Sequence, residues 1–414
     1  MKILLINNYH FRHGGSETVY FNTADLLAKH GHDVIFYSQK RLDNIPCEQS
    51  NYFCDAIDFN TKGFINKVKG VKHYFYNKDA AIGLNNLLKV ESPDVAHLHI
   101  FLCGLTMSVV DVLNKHNIPI VNSVHEYRMI CPAYTFKDGN NNICEKCGSG
   151  NYINCIKRKC SKGNYLLSTI MAAEMYYRNI FHHPAKKIDA FIFVSNFCKN
   201  IHLKYDRLFA KKTCKVLYNF RNSDVIENIE LGLQTYNSYY LYYGRLSFEK
   251  GVKTIIDAFS SFPEETLKIV GKGPIANELQ NFCKRKCLNN IEFLGFKTGK
   301  ELYSLISNAK FVVVPSEWYE NNPMTIIESY SVGTPVIGAN IGGIPEIIVN
   351  GRTGFLFESG DVEDLESTIK CATSLSDAEY SRLSEGALEF AHDNFSLDSY
   401  IPRLISFYNK FLLK

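Results

Sequence analysis

A chain of 414 residues with 46% hydrophobic residues is long enough for two cores, and a formal charge of only +4 argues against a dedicated nucleic-acid binder. No apolar run approaches the roughly eighteen residues of a membrane-spanning helix. The apolar part of the opening MKILLINNYH is too short for a secretory leader and reads as a strand, which predicts a cytoplasmic protein whose thirteen cysteines stay reduced.

Residues 2–7 form a buried-type strand, followed by a loop with Arg12, His13, Gly14, Gly15 and Ser16, a helix over 17–30 and a strand over 34–38. This β-α-β start lacks the G-x-G-x-x-G dinucleotide fingerprint. Gly14 and Gly15 at its first turn still let a ligand approach the backbone, although a tight turn alone would also need them. Residues 43–77 carry basic and aromatic side chains, among them Phe64, Lys67, Lys69, Lys72 and Tyr74, in a helical, acceptor-facing pattern. A helix ends over 85–90, a strand over 94–98 ends at His97 and His99, a helix covers 105–115, and a strand over 118–123 ends at His125. Ligands of open α/β sheets sit beyond the carboxyl ends of strands, where His99 and His125 stand.

Cys131, Cys144, Cys147, Cys155 and Cys160 fall within thirty residues. Clustered cysteines in a reducing compartment favour a metal over disulfides. Cys144, Cys147, Cys155 and Cys160 have the spacing for a closed tetrahedral zinc site, with Cys131 as an alternative ligand. A disulfide pair and plain thiols are the other readings. A Cys₄ site would be structural, ordering a polar insertion at 131–160 without taking part in chemistry. Residues 157–187 then mix Lys and Arg with Tyr, Leu, Ile and Met around a helix over 165–181. That pattern fits peripheral contact with the inner face of an anionic membrane, or a core helix with a solvated basic end. A strand over 190–194 follows, and the segment through Asn219 closes the first half.

A second α/β half starts with a strand over 239–243 that runs into Gly244, Arg245 and, five residues on, Lys250. Arg grips phosphate with a two-pronged fork and Lys adds a compact charge. A strand over 267–270 leads to Gly271 and Gly273, and one over 291–294 to Gly295 and Phe296. The most informative stretch is 311–357, FVVVPSEWYENNPMTIIESYSVGTPVIGANIGGIPEIIVNGRTGFLF. It predicts a buried strand, a loop with Glu320, and a helix with Asn322 as N-cap and Pro323 at its first position. Glu328 lies inside that helix, and a glycine-rich turn closes the unit. The free N–H groups near Asn322, Pro323, Met324 and Thr325 favour an anion, with the two carboxylates beside it to hold hydroxyls. A nucleotide sugar has this makeup.

Glu320 and Glu328 at their spacing, then GTPVIG, GGIPE and NGRTGFLF, resemble the retaining GT-B glycosyltransferases of family four, also called group 1. The resemblance covers nearly the whole chain, the first half more in layout than in sequence. It implies an α/β fold of two Rossmann-like domains around a cleft: 1–218 on the acceptor side, with the cysteine insertion, and 219–396 on the donor side, with a helix at 397–414 crossing back. Some members carry a similar cysteine-rich insertion. Gly14, Gly15 and His125 would face the donor; Gly271, Gly273, Gly295 and Phe296 would border the nucleotide. Arg245 and Lys250 would hold the diphosphate, Glu328 the ribose and Glu320 a sugar hydroxyl. No metal or other cofactor would be required for catalysis. The partners implied are a nucleotide-sugar donor and a saccharide or lipid-linked saccharide acceptor, in bacterial surface polysaccharide or glycolipid synthesis, and no nucleic acid. Two other classes fit the same scaffold: a nucleotide-sugar epimerase, and a non-catalytic protein that binds through the cysteine module.

Overall fold

The computed structural model describes residues 1–12, 14–56, 64–221 and 239–412; His13 and the side chains of Phe64 and Lys67 lie outside the described residues. The chain divides into two compact units, Met1–Leu217 with Ile401–Lys414, and Tyr218–Tyr400.

The first unit is built on β1 (Lys2–Ile6), β2 (Asp33–Tyr37), β3 (Val95–Leu98), β4 (Ile120–Val124), β5 (Ala190–Phe193) and β6 (Thr213–Val216). The order is β2-β1-β3-β4-β5-β6 and every pairing is parallel. A parallel sheet carries helices on both faces, so its strands are apolar throughout rather than alternating. Ile3, Leu4, Leu5 and Ile6 in succession are buried, as are Phe191, Ile192 and Phe193. The order reverses between β1 and β3, which makes their carboxyl ends the switch point where ligands settle.

The second unit contains β7 (Tyr239–Tyr243), β8 (Thr266–Val270), β9 (Ile291–Gly295), β10 (Phe311–Val314), β11 (Val336–Ala339) and β12 (Gly354–Phe357). Its order, β9-β8-β7-β10-β11-β12, is again wholly parallel. One core lies on each face of the sheet. Val313, Ile337, Ile255 and Leu365 pack in one, and Val312, Val336, Ile326 and Tyr330 in the other. The switch point lies between β7 and β10.

Most elements match the sequence expectation within two residues, including the strand Phe311–Val314 and the helix Tyr165–Phe181. The helix after β10 does not. It runs Met324–Ser331, with Pro323 in the capping position and no side-chain cap. The sequence predicts Asn322 as the cap, but its side-chain oxygen instead accepts the Asn219 N–H at 2.7 Å. The long helix Leu397–Leu412 carries the chain from the second unit back to the first, where Tyr408 bonds His97 on β3 at 2.6 Å.

Candidate functional site

At the switch point of the second unit, the loops leaving β7 and β10 are tied together. Glu317 N donates to Glu249 O at 2.9 Å. Gly251, at φ 66°, lies so near Pro315 that a β-carbon would come within 1.8 Å of its carbonyl oxygen, so only glycine fits. This closeness brings Lys250 Nζ to 2.5 Å from Glu320 Oε1, and Ser316 Oγ donates to the same oxygen at 2.8 Å. The glycine-rich turn holds Glu320 from behind. Gly343 N donates to its carbonyl at 2.7 Å, and the bare α-carbon of Gly342 rests on its backbone.

Burial alone would raise the Glu320 pKa, but the Lys250 ammonium and the hydrogen bonds to the carboxylate hold it below the usual range. Lys250 also lies over the Trp318 ring, 5.0 Å from its centre. Arg245, directly after β7, is exposed, and no carboxylate among the described residues pairs with it. One of the two cations is therefore balanced by Glu320 and the other is left for an anion. The first turn of the Met324–Ser331 helix adds backbone N–H groups without intrahelical partners.

Glu328 sits half-buried in the same helix. Burial pushes its carboxyl up to about 7, a hydrogen bond with Tyr243 offsetting part of the rise. The Tyr243 hydroxyl stands between Glu328 and Thr325 O, 2.7 Å from the latter, and ties the helix start to β7. Asn219, not singled out as a site residue, clasps Asn322 twice, from its N–H to Oδ1 at 2.7 Å and from its side-chain amide to the Asn322 carbonyl at 2.9 Å. Removing the amide leaves a buried carbonyl short of a partner, a loss of about 1–3 kcal/mol. Asn219→Ala is therefore expected to lower the melting temperature and raise the KM for the ligand of this loop, which thermal melts and kinetics would check.

The glycines after β8 stand against the loop that leaves β7. A β-carbon on Gly271 would come within 1.9 Å of Gly244 O, and one on Gly273 within 2.1 Å of Leu246 O. Their bare α-carbons admit the chain's own β7 loop. Gly295, at φ 70°, faces open space: no atom lies within 4 Å of where a β-carbon would stand. Phe296 beside it is exposed, with Lys272 Nζ 4.7 Å from its ring centre.

In the first unit, Gly14 caps the Gly15–Lys29 helix in extended backbone, and a β-carbon there would meet Glu17 only at ordinary contact distance. Gly14 is thus set by neither space nor φ. Beside it Asn7 Nδ2 donates to Glu17 Oε1 at 3.4 Å. At the neighbouring strand ends, His99 Nδ1 and His125 Nε2 are 3.0 Å apart and the rings stack at 11°. His97 is anchored on both sides, to Tyr408 and, at 2.8 Å, to Ser123 Oγ. Burial lowers all three imidazole pKa values, His97 to about 3 and His125 to about 4, so the cluster is neutral at pH 7. His99 Nε2 is buried without a hydrogen-bond partner. A bare lone pair is less costly there than an unmet N–H, which places the His99 proton on Nδ1, donating to His125 Nε2. His125 then carries its own proton on Nδ1.

None of the thirteen cysteines is joined in a disulfide. Cys155 and Cys160 hydrogen-bond to each other, and Cys147 and Cys155 pack with Tyr152 and Met175 in a small core. Burial pushes the thiols of Cys131 up to about 11 and Cys147 up to about 12, so both stay protonated at pH 7. The fold brings these thiols near one another: Cys147 lies within electrostatic reach of Cys131, Cys144 and Cys160, and Cys155 of Cys131, Cys147 and Cys160, although among the described residues no three His, Cys, Asp or Glu side chains stand in metal-holding geometry. Nor is any helix of these residues long and apolar enough to cross a membrane.

Two family models match the chain: "Glycosyl transferases group 1" over residues 227–389, and "Glycosyltransferase Family 4" over residues 13–225, just over half the chain. An uncharacterised glycosyltransferase of Methanocaldococcus jannaschii is 31% identical over 192 residues, 46% of this chain; the match spans 52% of that relative, about half its length. Among solved structures, sucrose-phosphate synthase from Thermosynechococcus elongatus aligns with a TM-score of 0.69 at 16% identity, covering 100% of this chain and 99% of its own. HepE of Anabaena in complex with UDP-glucose aligns at 0.62 and 16% identity, covering 99% and 100%. At these identities the likeness concerns the fold, and it is the GT-B fold that the motifs predict.

Proposed function

The chain belongs to the group 1, family 4 glycosyltransferases, and on that premise we propose that it moves a sugar from a nucleoside diphosphate sugar to an acceptor hydroxyl, keeping the anomeric configuration. The observation that carries this reading is the Lys250–Glu320 pair at the switch point, with an exposed Arg245 of no carboxylate partner among the described residues on the same loop after β7. Arg245, Lys250 and the N–H groups at Met324 and Thr325 hold the diphosphate and stabilise the charge that grows on it as the glycosidic bond breaks. Glu328 takes the ribose hydroxyls. Glu320, kept ionised by Lys250, accepts from a hydroxyl of the transferred sugar.

HepE was crystallised with UDP-glucose, which makes that the first donor to try. The acceptor we propose is a saccharide or lipid-linked saccharide of surface polysaccharide or glycolipid synthesis. The test incubates the chain with UDP-, GDP- and ADP-sugars and short saccharide or lipid-linked acceptors, and follows product by mass spectrometry and anomeric NMR. A glycosylated product of retained configuration is expected. Epimerised nucleotide sugar, or nucleotide release with no glycosylated product under any pairing, would overturn the reading.

Donor affinity should also depend on pH. With a pKa of about 7, Glu328 is half protonated near neutrality, and only the carboxylate accepts from both ribose hydroxyls. Binding releases that proton. Donor Kd is therefore expected to rise as pH falls from 8 to 6, by up to about tenfold per unit below the pKa. In Glu328→Gln the weaker Kd should be flat over the same range. Calorimetric titrations at three pH values would decide it.

A further inference from the structure

The helix Tyr165–Phe181 buries Ala172 and Met175 together with polar side chains, yet leaves large apolar side chains exposed at both ends. Its buried face includes Ser168, Glu174 and Arg178, the last two joined at 2.7 Å with side chains 5% and 2% exposed. Its outer positions hold Tyr165, Leu166 and Leu167 at the start, 57%, 69% and 41% exposed, and Ile180 and Phe181 at the end, 67% and 62% exposed. A surface helix normally turns its apolar stripe to the core and its charges to water. Here the core takes Ala172 and Met175, while Tyr165, Leu166 and Leu167 stand in an exposed row, a sign that something other than water covers them.

The charges around it say what. Residues 151–173 contain Lys157, Arg158, Lys159 and Lys162 and no Asp or Glu. Arg158 is taken by Asp138 at 3.0 Å. Among the described residues no carboxylate pairs with Lys157, Lys159 or Lys162, and Lys159 lies over the Tyr165 ring at 4.5 Å. Unpaired lysines beside a Tyr-Leu-Leu wedge match an interface whose outer layer is anionic and whose inner layer is hydrocarbon. The lysines reach phosphate headgroups along their own stems, and the wedge enters the acyl boundary. A soluble protein partner would need no such one-signed rim.

We propose that the Tyr165 end of this helix is a docking surface for an anionic lipid bilayer, which it enters by a shallow wedge without crossing it. The surface is made by side chains of the first unit alone, and it stands or falls apart from the donor chemistry above.

The test is co-sedimentation of the full chain with phosphatidylcholine vesicles, with and without about one third phosphatidylglycerol. Three proteins are compared: wild type, Leu166→Ser with Leu167→Ser, and Lys157→Gln with Lys159→Gln and Lys162→Gln. All five positions are at the surface, and none is assigned to the donor site. Wild type is expected to bind the anionic vesicles and leave the neutral ones. Each variant should bind at least about tenfold more weakly, since loss of even one to two lysine contacts is worth that factor. Binding of wild type to neither vesicle, equal binding to both, or unchanged binding by the variants would overturn the proposal. So would a dimer in light scattering that the leucine variant abolishes, because a second copy would then cover the face. Thermal stabilisation by nucleotide sugar, measured on the same three proteins, reports separately on the donor reading.

Discussion

Replacing Arg245 by alanine is expected to lower kcat/KM for the donor by at least about a hundredfold, the usual loss when one preorganised donor to developing charge is removed. The side chain is exposed and has no carboxylate partner among the described residues. Stability should therefore change by no more than about 0.5 kcal/mol, as for other surface substitutions. Arg245→Lys should recover only part of the activity, because an ammonium lacks the planar fork that grips two phosphate oxygens. Steady-state kinetics with thermal melts checks all of this, and near wild-type rates in the alanine variant would remove Arg245 from the site.

Lys250→Ala is expected to damage activity and stability together. Glu320 is buried, 7% exposed, and Lys250 is its cationic partner at 2.5 Å. Cutting the ammonium away leaves a buried carboxylate without compensation, a cost of about 3–5 kcal/mol for a fully buried pair and less here, where the lysine side chain keeps 26% exposure. The sign of the pH effect follows from the depressed Glu320 pKa. In wild type the pair's contribution is present above the ordinary glutamate pKa and is lost as pH falls through the depressed value. In Lys250→Ala that acid-side loss should shrink. Lys250→Met with Glu320→Gln removes both charges and should restore most of the melting temperature while activity stays low. If the double variant regained activity, the pair would be a structural device only.

The strands and their connectivity were legible because buried parallel strands are written as short, unbroken apolar runs, as in FVVV at β10. Arg245, Lys250 and Glu320 stand on the loops that leave β7 and β10, and Glu328 in the helix that follows, so each could be placed from the strand before it. What a linear reading missed are contacts between residues far apart in the chain. Asn219 sits 103 residues from Asn322, and its bond displaced the expected helix cap. The backbone neighbours of Gly271 and Gly273 are carbonyls of the β7 loop, so the reason for those glycines lies in a strand pairing that spacing does not reveal. The pairing of His99 with His125 depends on β3 and β4 being neighbours with Leu98 opposite Asn122. The Tyr165–Phe181 helix was found from its pattern, but not that Tyr165, Leu166 and Leu167 at its start stay exposed.

Arg245, Lys250, Glu320 and Glu328 are proposed to form one donor site for a nucleoside diphosphate sugar. The most direct test is thermal stabilisation by UDP-, GDP- and ADP-sugars of wild type, Arg245→Ala and Glu328→Ala, since a ligand that binds only the folded state raises the melting temperature by mass action. The account predicts a shift for wild type with sugars of one base, a much smaller shift in both variants, and nearly equal melting temperatures of wild type and Arg245→Ala without ligand. No shift with any nucleotide sugar, or undiminished shifts in both variants, would contradict it.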